Sequence, residues 1–363
     1  MAKLNPISFE EALENSTNKN RSILLGNGFS ISLCENFDYK YLYKQAQKLA
    51  DEGEISISKS IKNLFDDINT CDFEKVLDHL NITIETIKHY PKAELLNRTL
   101  NKDKDNLIAA FYNTINSVHP KFQSDISPGT FIACLKILSN FNKIFTTNYD
   151  LLLYWIIMNR TNQHLDLFNL HDFDFSSLPH DDGFTRDMNT NDFPKWNNNL
   201  SRGPQDVFYL HGSLFIINAI ENFIKINNDS KDGRILEQID KWLKDDQQPL
   251  IVLEGNYKDK AKKIYRHSYL RCCLNALSTL KGDLFLIGFS INDETDKHII
   301  ESIQESVIER VYVGYYKELD KDFEKRIKQL SYTNDPSRER ELFIFNTNEA
   351  IQWKAIKLVT KGK

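Results

Sequence analysis

The chain lacks a Cys-x-x-Cys pair. Its five cysteines, Cys34, Cys71, Cys134, Cys272 and Cys273, are scattered over 363 residues. An odd set without metal-ligand spacing excludes a structural zinc module and speaks against a disulfide framework, so reduced thiols are expected. Also missing is any excess of positive charge: 46 basic side chains stand against 51 acidic ones, a net of −5. Without a basic arm or block, direct nucleic-acid binding is not expected. The opening "MAKLNPISFEEALENSTNKN" has no apolar core of the kind a signal peptide carries. The longest apolar run, Leu151 to Met158, is too short to span a bilayer. These absences together describe a cytoplasmic chain.

What is present suffices for a sizeable core: 41% of residues are hydrophobic and 27% charged. Short segments rich in Ile, Leu, Val and Phe read as buried strands, most of them followed by Gly, Asn, Asp or Ser. They are Ser22–Leu25, Lys143–Thr147, Val207–Leu210, Leu250–Leu253, Leu284–Ile287 and Arg310–Val313, with Leu342–Phe345 as a seventh. Helical patterns at Lys260–Lys281 and Asp293–Glu309 alternate with them, which predicts an α/β fold with a doubly wound, mostly parallel sheet. Between the first two strands the pattern is helical. In "DFEKVLDHLNITIETIKHY" the apolar residues Phe73, Val76, Leu77, Leu80, Ile84 and Ile87 recur at three and four. Residues 35–138 are therefore expected to form an inserted helical lobe. Residues 164–204, dense in Asn, Asp, Gly and Pro, are expected to be a long loop or lid.

Four strand ends carry polar residues where ligands of such sheets bind. The first, "ILLGNGFS", offers Gly26 and Gly28, which let backbone approach a ligand closely, ahead of a helix N-terminus that favours an anion. The third glycine of a dehydrogenase fingerprint is missing; Ile31 stands there, and no acidic strand end follows about twenty residues on. Hydride transfer fits poorly. The second, "KIFTTNYD", discharges Thr146, Thr147, Asn148, Tyr149 and Asp150; a helix cap at Asn148 or Asp150 is the competing reading. The third, "YLHGSLF", places His211, suited by its ordinary titration to accept a proton, beside flexible Gly212; a structural His is the competing reading. In the fourth, "LIGFSIND", Gly288 and Ser290 precede Asn292 and Asp293, which either bind a ligand or cap a helix.

Taken in order, Gly-x-Gly-x-Ser, Thr-x-Asn-x-Asp, His-Gly and Gly-x-Ser resemble the sirtuin (silent information regulator) family. With "DGF" (Asp182–Phe184) and "PLIVLEGN", the chain looks most like bacterial sirtuin-like NAD-consuming proteins of antiphage defence. The resemblance implies a single domain over 1–363 whose Rossmann-like NAD-binding core comprises 20–34 and 139–350. It implies a cofactor-binding set of Gly26, Asn27, Gly28, Phe29, Ser30, Thr147, Gly288, Ser290 and Asn292, and a catalytic set of Asn148, Asp150 and His211. The four-cysteine zinc module and the Asp-Phe-Arg segment of sirtuin deacylases are absent. NAD+ is therefore expected as substrate, cleaved to nicotinamide and ADP-ribose, with no metal. An NAD-dependent deacylase and a non-catalytic NAD or ADP-ribose sensor remain alternatives. A metal-dependent hydrolase built on His164, His171 and His180 lacks a ligand motif. A homo-oligomer is expected, and related systems suggest a HerA-type ATPase partner.

Overall fold

The computed structural model describes residues 4–16, 20–158, 178, 180–186, 193–197, 205–219, 222–226, 234–335, 337–338 and 340–350. In chain order its strands are β1 (Leu4–Pro6), β2 (Arg21–Leu25), β3 (Lys143–Thr146), β4 (Phe184–Thr185), β5 (Lys195–Trp196), β6 (Val207–Tyr209), β7 (Gly212–Asn218), β8 (Phe223–Lys225), β9 (Pro249–Ile251), β10 (Lys281–Ile287), β11 (Val307–Tyr315) and β12 (Glu341–Asn346). Seven form one sheet in the order β1-β12-β11-β10-β2-β3-β6. Every pairing in it is parallel. From β2 onward the chain steps outward to β3 and β6, then returns to the other side of β2 with β10, β11 and β12. This is the Rossmann-like doubly wound order, and its switch point lies between β2 and β10.

The strands are continuous apolar runs because both faces of the sheet are covered. Ile23, Leu24 and Leu25 of β2 are fully buried, as are Ile144 and Phe145 of β3 and Leu284 and Phe285 of β10. Stacked aromatic pairs tie neighbouring strands: Phe145 with Phe208 at 4.7 Å, Phe285 with Tyr312 at 4.4 Å, and Tyr312 with Phe343 at 4.9 Å.

The segment Leu250–Leu253, expected as a strand of the parallel sheet, belongs elsewhere. As β9 it pairs antiparallel with β7 in a second, five-stranded sheet ordered β4-β5-β8-β7-β9. The cause is a reversal at Leu210–His211, after which Gly212 takes φ +74 and packs on the Leu250 carbonyl so closely that a Cβ would overlap it. A short apolar run carries no record of its partner's direction.

Between β2 and β3 come five longer helices, Tyr39–Asp51, Lys59–Asp67, Phe73–Ile87, Glu94–Val118 and Pro128–Leu138. The Phe73–Ile87 helix buries Phe73, Val76, Leu77, Leu80 and Ile84 of the stripe its spacing predicts, and Ile87 is half-buried. The expected single helix over Lys260–Lys281 is two, Tyr257–Arg266 and Ser268–Ser278, broken at His267. Of the expected loop 164–204, residues 184–185 and 195–196 are strands, and 164–177, 179, 187–192 and 198–204 lie outside the described residues. Among the described residues no helix is long and apolar enough to cross a membrane.

Candidate functional site

The carboxyl ends of four strands are flush. Leu25 is in register with Ile287 on one side and Thr146 on the other, and Thr146 with Tyr209. Residues that follow these positions therefore emerge side by side, although more than 250 residues separate the first from the last. Asn27, Gly28, Thr147, Asn148, Asp150, His211, Gly288, Ser290 and Asn292 all line one cavity of about 990 Å³. That is the size of a cofactor pocket. Gly26, Phe29 and Ser30 are buried beside it.

The glycines at the switch point are explained first by one another. A Cβ on Gly26 would meet the Gly288 carbonyl oxygen at 2.4 Å, and one on Gly28 would meet Gly288 Cα at 2.7 Å. The Gly28 amide donates to the Gly288 carbonyl at 3.0 Å. Two strand-end loops thus interlock backbone to backbone, and Gly28 and Gly288 present that backbone to the cavity.

Asn148 is held in one orientation. Its Nδ2 donates to the Gly26 carbonyl at 3.0 Å and to Ser30 Oγ at 2.8 Å. Ser30 in turn donates to Asp150 Oδ2 at 2.5 Å, and Asp150 Oδ1 accepts from the Leu152 amide at 2.8 Å. Burial raises the Asp150 pKa against the pull of those two donors. Asp150 thus both satisfies the first amide of the Leu152–Met158 helix and anchors a chain running Asp150–Ser30–Asn148. With both amide protons engaged, Asn148 Oδ1 is left buried and without a partner among the described residues. Asn292 caps the Asp293–Glu305 helix by accepting from the Glu294 amide.

His211 follows β6 and is 2% exposed. Its Nε2 lies 2.9 Å from Nε2 of His298 and 4.0 Å from Asp296 Oδ1. Burial, Lys260 and His298 push the His211 pKa well below the ordinary value. Burial likewise takes His298 down to about 3, with Asp296 opposing and Lys260 assisting. Both rings are neutral.

The cavity lining also carries groups the sequence did not single out. Lys260, 2% exposed, reaches Glu74 Oε2 at 2.7 Å and Asp296 Oδ1 at 3.4 Å. Burial disfavours its charge, yet Asp296 and Glu74 hold its pKa above the ordinary lysine value. Glu74 is pushed up to about 7 by burial, with Lys260 pulling the other way and Asp72 and Asp296 adding to the rise. Two carboxylates sharing one ammonium cannot both be fully compensated. The Tyr149 hydroxyl lies 2.7 Å from Glu74 Oε1 and 2.9 Å from the Val252 carbonyl. One hydroxyl proton cannot serve both acceptors, and a protonated Glu74 donating to Tyr149 satisfies all three groups.

His211, Asp296 and His298 also offer three ligand atoms within 4.8 Å of one another. The ammonium of Lys260 already sits on the same Asp296 oxygen, which opposes a second cation there. Of the histidines weighed for a metal, His164 and His171 lie outside the described residues, and His180 is exposed. Lys260 and Glu74 are joined across 186 positions, and the signal for either was a polar residue inside an otherwise ordinary amphipathic helix.

No curated protein has a matching sequence. Among solved structures, one described as "Structural Basis for the Mechanism and Regulation of Sir2 Enzymes" is similar over 94% of this chain and 93% of that chain, at 11% identity and a TM-score of 0.34. A family model, DUF4917, described as a domain of unknown function, matches residues 23–353. That span runs from β2 past the last strand of the sheet and includes every residue of the cavity wall, and the chain belongs to the DUF4917 family.

Proposed function

We propose that the chain is an NAD+ glycohydrolase, cleaving the nicotinamide–ribose bond to give nicotinamide and ADP-ribose. The observation that carries this reading is the single cavity at the switch point where Asn148 and His211 meet the interlocked glycine loops. Asn148, fixed through its Nδ2, keeps Oδ1 open for a donor that a substrate or water would bring. A buried acceptor without a partner is costly unless something uses it.

The bond to be broken joins a cationic ring to an anomeric carbon, and its cleavage passes through an oxocarbenium-like state. Nicotinamide departs neutral, so the protein must orient the ribose, favour positive charge on the sugar and admit water. Asn148 orients the ribose and the water. Asp150 acts through Ser30 to hold Asn148, and His211 engages a ribose hydroxyl or the water. The acidic groups of the wall, Glu74 and Asp296 among them, supply negative potential. The glycine loops and Ser290 accommodate the phosphates and the adenosine half.

Incubating the pure protein with NAD+ alone, and separating nicotinamide from nucleotide products, tests the reading. Release of nicotinamide is expected, with a loss of about 10²–10⁴-fold in His211→Ala and Asn148→Ala. Normal turnover by either folded variant would refute the assignment. Cleavage that requires an acylated peptide would make it a deacylase, and binding without products a sensor. Unchecked NAD+ loss would harm the host cell. The proposal therefore includes gating, through a homo-oligomer or a HerA-type ATPase partner, as in an antiphage effector. An ungated, fully active monomer would sink that part.

A further inference from the structure

We propose that His298 is a positioning residue for His211, donating its Nε2 proton to His211 Nε2 and so fixing His211 as the tautomer that carries its proton on Nδ1. The inference deepens the NAD+ reading and rests on it for its kinetic consequence.

The two Nε2 atoms are 2.9 Å apart, and the side chains are buried. Since both rings are neutral, one proton lies between those atoms, and there are two ways to place it. If His211 supplies it, His298 must carry its own proton on Nδ1. That atom is buried and has no partner among the described residues. An N–H sealed from water without an acceptor is the rarer kind of orphan; a lone pair in the same place is tolerated more often. If His298 supplies the proton, its Nδ1 holds only a lone pair, and the proton of His211 lies on Nδ1, which is not among the buried polar atoms without a partner. The second arrangement is therefore the stable one.

The local fold supports it. The Asp293–Glu305 helix is non-helical at Asp296, with φ −125 and ψ 21, two residues before His298. Asp296 approaches His211 no closer than 4.0 Å and is drawn to Lys260 at 3.4 Å, so the carboxylate does not take the shared proton. A metal ion between the rings would leave His298 Nδ1–H unsupported, whereas a ligating His ordinarily donates that proton to a neighbour. One consequence bears on chemistry. The Nε2 lone pair of His211 is already engaged, so His211 offers a substrate hydroxyl a hydrogen-bond donor at Nδ1 rather than a proton acceptor at Nε2.

The test is side-chain ¹⁵N NMR of the full chain with labelled histidine at neutral pH, the two rings being assigned from His211→Gln and His298→Gln spectra. The expected result is His211 in the Nδ1–H form and His298 in the Nε2–H form. His211 in the Nε2–H form would overturn the proposal, as would both rings in the Nδ1–H form, the pattern a bound cation enforces. In nicotinamide release, His298→Leu is expected to lower kcat by about 10–100-fold with little change in KM. His298→Gln, whose amide still donates, should retain most activity; equal losses in both variants would count against it. A wild-type chain that leaves NAD+ intact would defeat the hydrolase reading alone, since the NMR result requires no substrate.

Discussion

On the sheet side of the cavity the wall is made of backbone: Gly28 and Gly288 interlock, and Thr147 and Asn148 leave a strand whose end is in register with theirs. Another part of the lining is made of charge. Glu74 comes from a helix between β2 and β3, Lys260 from the Tyr257–Arg266 helix and Asp296 from the helix after β10. The first wall is fixed by what will fit and needs no ionisation. The second is fixed by three ionisable groups in a site nearly closed to water, so its stability depends on protonation. Tyr149 bridges them, leaving the end of β3 to reach Glu74.

The largest test of this contrast is to remove Lys260, the cation that Glu74 and Asp296 share. Lys260→Met keeps most of the stem's volume but leaves Glu74 and Asp296 without their partner. Breaking a buried pair from one side typically costs about 3–5 kcal/mol. A denaturant titration should show a midpoint shift of that order. A neutral result would mean that the wall is held by packing, and the contrast would disappear.

The two walls were not equally legible. The sheet wall could be read because its cause is local: an apolar run that stops at a glycine or a short polar residue marks a strand end wherever it occurs. "ILLGNGFS", "KIFTTNYD" and "LIGFSIND" carry that mark, and the parallel register then brings their ends together. The charged wall depends on contacts across 186 residues for Glu74 with Lys260 and 87 for His211 with His298. In "DFEKVLDHL" the apolar stripe announces a helix, but nothing in it says that Glu74 faces inward. The second sheet was hidden for a related reason, because the reversal at Leu210–His211 goes with the contact of Gly212 on Leu250, not with the run that precedes it.

Next in size is a dependence on pH that the charged wall should show. The folded chain keeps the Glu74 proton up to about pH 7, whereas the ordinary value is 4.5. Between those values the folded state binds more protons than the unfolded one, so stability falls as pH rises through that window. At about 1.4 kcal/mol per pK unit the loss is at most roughly 3.5 kcal/mol. Glu74→Gln mimics the protonated form and should remove this slope. Asp283, raised to about 6 by burial, titrates in the same range at the other end of β10. It is present in both proteins, so the difference between their pH–stability curves isolates Glu74. Parallel curves would show that Glu74 is ionised throughout.

The smallest effect belongs to the sheet wall, and it should be indifferent to pH. Gly288 takes φ +69, and a Cβ there would lie 2.3 Å from the Phe29 nitrogen and 2.8 Å from Gly28 Cα. The obstacle is backbone, so no side chain can swing aside to admit a methyl group; the two loops must separate. Strain of this kind costs about 1–3 kcal/mol. Gly288→Ala should therefore lower the unfolding free energy by that amount equally at pH 5 and pH 8. It should also reduce NAD+ affinity more than a stability change alone explains, because the displaced loop forms part of the cavity. A Gly288→Ala cost that varied with pH would couple the interlocked loops to the Glu74–Lys260–Asp296 group and make the two walls one unit.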